Sequence, residues 1–267
     1  MKLKFTSIIL IVSIALSSCD DGNINFFSLQ DDIDFGEEFH QQIEQSPEEF
    51  PILSPAAYPE AYGFLEDIRD ALLESDDLRY ANDFSWDVYL IDDSTTLNAF
   101  CVPGGKMYFY TGIIEFLDNE AEFAGVMAHE MAHADRRHST STMTKQYGFS
   151  LLLSIMLGDE PGLMEEILAD LAYGLGSLKF SRDHEYEADE YAVSYTTDGT
   201  GNYNYYPKGI SAFFEKIEGH TQTVEFLSTH PNPGNRLENI DEFWKSIGSP
   251  QGEEYTLRYD EFKNSLP

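Results

Sequence analysis

The sequence predicts an α+β fold, mainly helical, with a small mixed β-sheet. Three observations carry this. A long segment keeps helical spacing, with Tyr62, Leu65, Ile68, Leu72 and Leu73 on one face. Three short strand-like runs lie close together between residues 86 and 111. The periodic segments beyond residue 112 read as helices joined by loops.

Composition narrows the class. The 267 residues are 42% hydrophobic and 14% aromatic, which suits one globular domain with a sizeable core plus appendages. Lys and Arg number 16 against 48 Asp and Glu, a net charge of −32. So acidic a surface argues against nucleic acid and against electrostatic binding to anionic lipid. The two cysteines, Cys19 and Cys101, are too few for a disulfide framework.

Residues 1–18 read as a signal peptide. Lys2 and Lys4 precede an apolar run, Ser7 to Leu16, too short to span a bilayer. Residues 19–57 read as an acidic tether carrying Pro47, Pro51 and Pro55, with helical spacing only around Phe35 to Ile43. The folded domain is expected over residues 58–250, opening on a helix at 58–79. Trp86 to Ile91, Leu97 to Val102 and Lys106 to Thr111 read as strands, with Pro103-Gly104-Gly105 as the turn between the last two. Cys101 falls within a strand, which predicts a buried, inert thiol.

The helix from Glu120 to His138 is announced by Asn119 and Glu122, a pairing that resembles a capping box. Phe123, Val126 and Met127 give it an apolar face, and five alanines keep it thin enough for close neighbours. Within it stands His129-Glu130-Met131-Ala132-His133, an H-E-x-x-H run. Residues four apart share one helix face, so the two imidazoles can reach one metal ion while Glu130 holds a water as general base. A catalytic zinc takes three protein ligands and keeps a position for water. The strongest third candidate is Glu185, which shares a face with Asp189 on a second helical segment; Glu187 points elsewhere. The alternative for these acids is a solvated helix face.

Other segments read less sharply. His138 lies five residues past His133, off the ligand face, and reads as a cation favouring a helix C-terminus. Residues 148–158 are very apolar yet far shorter than a span, and with 161–178 they predict a helical hairpin over the catalytic helix. Residues 198–206 read as a loop, Pro207 to Gly219 and Asn235 to Ile247 as helices, and 251–267 as a C-terminal tail. His230, in Thr229-His230-Pro231, is a titratable group without an obvious structural reason. It reads as a blocking zinc ligand, as an oxyanion donor, or as a surface-turn histidine.

H-E-x-x-H followed by Ser181-Arg182-x-x-Glu185-x-x-Ala188-Asp189 resembles the M48 family of zinc metallopeptidases, which are gluzincins. Residues 98–112 resemble the segment these enzymes carry before their catalytic helix, and His230, Pro231 and Arg236 match a later element. The resemblance implies a zincin-like metallopeptidase domain binding one Zn2+ through His129, His133 and Glu185. It implies Glu130 as catalytic base and Asp189 as support behind the ligands. Leu16-Ser17-Ser18-Cys19 resembles a bacterial lipobox, which implies lipidation at Cys19. The expectation is therefore a membrane-anchored, periplasm-facing lipoprotein of the bacterial envelope. It would cleave misfolded envelope proteins in quality control, binding extended peptide along a strand edge at Lys106 to Thr111. The alternative is a non-proteolytic chaperone or assembly factor that retains the zinc site.

Overall fold

The computed structural model describes residues 19–20, 23–156, 179–198, 201–218, 225–231 and 234–267. Residues 1–18, and most of the hairpin expected at 148–178, lie outside them. The elements run β1 (Cys19–Asp20), β2 (Asn23–Ile24), α1 (Leu29–Gln45), α2 (Pro59–Leu73), β3 (Val88–Ile91), β4 (Ala99–Cys101) and β5 (Met107–Tyr110). Helices follow: α3 (Thr111–Phe116), α4 (Glu120–Asp135), α5 (His138–Met156), α6 (Arg182–Thr197), α7 (Gly209–Glu218), α8 (Phe226–Thr229), α9 (Arg236–Ser246) and α10 (Thr256–Lys263). This is the mainly helical, zincin-like α+β architecture, and the small sheet is mixed.

The sheet has the order β3-β5-β4. β3 runs parallel to β5 and β4 antiparallel to it. The Lys106 to Thr111 run is therefore the central strand, and the expectation that it offers a free edge is corrected. Both its sides are already hydrogen-bonded. The outer side of β3 is occupied as well, since Leu53 N–H donates to Leu90 O at 2.9 Å and Asp92 N–H to Pro51 O at 2.9 Å. That leaves β4 as the edge. The β4–β5 turn needs glycine, because Gly104 and Gly105 sit at φ +83° and +89°.

Side chains alternate across the sheet, and both faces are buried. Val88, Leu90, Met107, Phe109, Ala99 and Cys101 join the main core beneath α2 and α4. Tyr108, Tyr110, Phe100 and Ile91 point to the other face, where Phe35, Phe39 and Ile43 of α1 cover them. Phe39 meets Phe100 and Tyr108 edge-on, each at 5.8 Å. The stretch read as an acidic tether is thus, from Asn25 onward, part of the domain. Its helix starts on a capping box: Asp31 N–H donates to Ser28 Oγ and Ser28 N–H to Asp31 Oδ2. Asp34, Glu37, Glu38 and Glu44 are exposed, Asp32 is buried, and its three large apolar residues complete a core layer. The expected C-terminal tail is corrected in the same way. α10 buries Tyr259 and Phe262, and Phe262 stacks on Phe64 of α2 at 4.1 Å.

The central helix α4 is buried from end to end. Asn119 Oδ1 caps it by accepting from Glu122 N–H at 3.0 Å. It packs on α6 along one side and on α7 along another. At the α7 contact the backbones approach so closely that a Cβ on Gly125 would sit 2.5 Å from Ile210 N. α4 ends at Asp135. Arg137 follows at φ +56°, a left-handed turn, and the chain restarts as α5 at His138. The Arg137 guanidinium holds that turn by donating to Asp32 Oδ2 at 2.5 Å, Phe27 O at 2.6 Å and Ser28 O at 3.0 Å.

Candidate metal centre

His129 and His133 sit on successive turns of α4, and their Nε2 atoms are 3.1 Å apart. α6 crosses this helix and brings Glu185 to face them. Its Oε2 is 3.7 Å from His129 Nε2 and its Oε1 3.6 Å from His133 Nε2. His230 caps the short α8, and its ring is stacked on Phe226 at 4.3 Å. Its Nδ1 comes within 3.4 Å of His129 Nε2 and 3.3 Å of Glu185 Oε1. One donor atom from each of these four residues lies within 4.8 Å of all the others. The four are at most 1% exposed, so the surface-turn reading of His230 is set aside.

The donor set fits a metal of the zinc type. Burial pushes both imidazoles of α4 well below their usual range, so they are neutral, the form that coordinates. Neither oxygen of Glu185 receives a hydrogen bond among the described residues, although Arg236 Nη1 lies 2.8 Å from Oε2. Buried polar atoms left this way are costly. Two neutral nitrogens and a carboxylate converging on one point are what a tetrahedral zinc site supplies, with a further position to fill.

Glu130, one residue on from His129, turns toward β4. Its Oε2 accepts the Cys101 N–H at 3.1 Å, and its Oε1 is 3.5 Å from His230 Nε2. Burial raises its carboxyl to about 7, with His230 acting in the opposite direction. A group titrating there suits proton transfer near neutral pH. Burial opposes charge on His230, but the carboxylates of Glu130 and Glu185 outweigh it and raise its basicity.

A further layer holds these groups. Asp189 Oδ1 lies 3.0 Å from His129 Nδ1. Arg236, at the start of α9, grips Asp189 with two hydrogen bonds, Nε to Oδ2 at 2.7 Å and Nη2 to Oδ1 at 2.5 Å. The guanidinium also lies over the Phe214 ring, 3.8 Å from its centre. Phe180 stacks on His133 at 3.9 Å. The reading of His138 is corrected: it opens α5, is fully buried, and its Nδ1 lies 3.0 Å from His133 Nδ1. Sequence spacing missed this because position +5 faces away on a continuous helix, and the Arg137 turn breaks the helix. Phe180 and Phe226 carried no signal beyond being aromatic.

Cys19 lies in β1, remote in sequence from the centre. Among the described residues no helix is long and apolar enough to cross a membrane. Comparison with known proteins agrees with the site. The chain is 32% identical over 168 residues to the mitochondrial metalloendopeptidase OMA1 of Schizosaccharomyces pombe, covering 61% of this chain and 48% of that protein. It is 30% identical over 158 residues to the Arabidopsis thaliana protein of the same name, covering 57% and 30%. The beta-barrel assembly-enhancing protease of Yersinia pestis is 27% identical over 164 residues, covering 56% and 32%. The chain spans less than half the length of these relatives. The family model described as Peptidase family M48 matches residues 64–243, a span that holds the whole buried group, and on that match the chain belongs to peptidase family M48.

Proposed function

We propose that this protein is a zinc-dependent endopeptidase of the bacterial cell envelope, lipid-anchored at Cys19, acting on misfolded envelope proteins. The observation that carries the enzymatic part is the convergence of His129, His133 and Glu185 with the Glu130 carboxylate beside them. The envelope assignment draws on the lipobox-like Leu16 to Cys19 and on the name of the Yersinia relative.

In this reading His129, His133 and Glu185 hold the metal. When bound, zinc polarises a scissile carbonyl and makes water more acidic. Glu130 takes the proton of the attacking water and later hands it to the leaving amine. The Cys101 N–H orients that carboxylate from the strand side. Extended substrate adds to the outer edge of β4, where Ala99 lies between Leu97 and Cys101. In the described form Leu97 O accepts from Phe226 N–H at 3.1 Å, so α8 covers one end of that edge. His230 rides on the same segment and lies at ligand distance. Both features support His230 as a fourth ligand of a resting state, rather than as an oxyanion donor.

The test is zinc content and casein cleavage of the purified protein beside Glu130→Gln. One zinc per chain in both, with cleavage only in the parent, is the expected result. A zinc-loaded parent that cleaves nothing overturns the protease and leaves the assembly-factor reading.

A further inference from the structure

We propose that His138, backed by Glu187, is a positioning residue that fixes His133 in its metal-binding tautomer. The proposal rests on His129, His133 and Glu185 being the ligands. His133 turns Nε2 toward His129 and Glu185 and Nδ1 toward His138. A neutral imidazole carries one proton, so a free lone pair at Nε2 requires the proton at Nδ1. Two Nδ1 atoms 3.0 Å apart share a single proton, so His138 accepts at Nδ1 and carries its own proton at Nε2. At that nitrogen Glu187 Oε2 waits at 3.2 Å. One proton arrangement therefore serves both hydrogen bonds of the chain His133–His138–Glu187.

The same layer holds the ring of His138 in place. His138 is fully buried and stacks on His184 at 4.3 Å with the ring planes 6° apart. It reaches this position because the left-handed Arg137 lets α5 restart over His133. The two ligand imidazoles thus have different supports. His129 faces the carboxylate of Asp189 directly, whereas His133 is given its carboxylate through a second imidazole. Partners of this kind orient a ligand ring and raise its basicity, and removing one costs about 10–100-fold in metal affinity.

The test uses the full chain and zinc alone, titrated against a chromophoric chelator, with metal-free melting temperatures measured alongside. In His138→Asn the amide oxygen stands close to the position of Nδ1 and can still accept from His133. In His138→Gln the amide reaches toward Glu187 but offers nothing at Nδ1. We expect His138→Asn to stay within a few-fold of the parent and His138→Gln to bind about 10–100-fold more weakly. In the zinc-loaded parent and in His138→Asn, side-chain 15N shifts should report His133 protonated at Nδ1. Equal losses in the two variants, losses that follow melting temperature, or parent affinity in His138→Gln each overturn the relay. A parent that binds no zinc overturns the ligand assignment itself, and the relay with it.

Discussion

At the scale of single residues, burial decides which groups stay chemically quiet and which are poised. Cys101 is the quiet case. Burial, reinforced by the nearby Glu130 carboxylate, pushes its thiol well above the usual range. The thiolate is the reactive form, so a raised value means less of it at any given pH. Native protein is expected to resist alkylation by iodoacetamide at pH 8 and to react fully once unfolded; rapid labelling of the native state would contradict this. His230 is the poised case. Its imidazole at ligand distance predicts that His230→Ala raises the rate of peptide cleavage, measured in zinc-loaded protein. A fall of about a hundredfold would mark an oxyanion donor instead. The family resemblance singled out Glu130 and Glu185, and that His129 and His133 share a helix face was legible from their spacing. His138 was not, because a single positive-φ residue altered the face that its spacing implied.

At the scale of elements, close backbone approach sets how α4 is held. Gly125 and Gly209 let α4 and α7 touch main chain to main chain. Gly125→Ala would gain about 1 kcal/mol of helix propensity. It would also force a methyl against Ile210 N, and overpacking of this kind costs about 1–3 kcal/mol. Backbone yields less readily than a side-chain tip, so net destabilisation in urea unfolding is expected; a stabilised variant would mean the helices separate freely. The strands and α4 were readable from alternation and capping. α1 was obscured by its acids and the prolines after it, and the edge strand by an assumption about order. The run Met107-Tyr108-Phe109-Tyr110 held a usable hint. A strand apolar on both faces needs a cover on each side, and the second cover had to come from somewhere in the chain.

At the scale of the whole molecule, attachment and charge are the testable features. If Cys19 carries the lipid, Cys19→Ser should lose labelling by a lipid precursor and move from the membrane fraction to the soluble one. Unchanged membrane attachment would shift the anchor elsewhere. The strong negative charge was plain from composition, with 16 Lys and Arg for 48 Asp and Glu, and buried Lys106 is shared by two acids, Glu37 at 2.9 Å and Asp87 at 2.8 Å.

The packing of the N-terminal segment also sets a length. Asn25 is already fixed to the domain, its Nδ2 donating to Thr140 Oγ1 at 2.8 Å. Between it and Cys19 lie five residues, and extended chain covers about 3.3–3.6 Å per residue. A lipid at Cys19 would therefore hold the domain within about 20 Å of the bilayer surface. A free leash reaching to residue 57 would let it sweep several times further. The candidate metal centre would then work in a thin shell over the membrane, close to whatever lingers there.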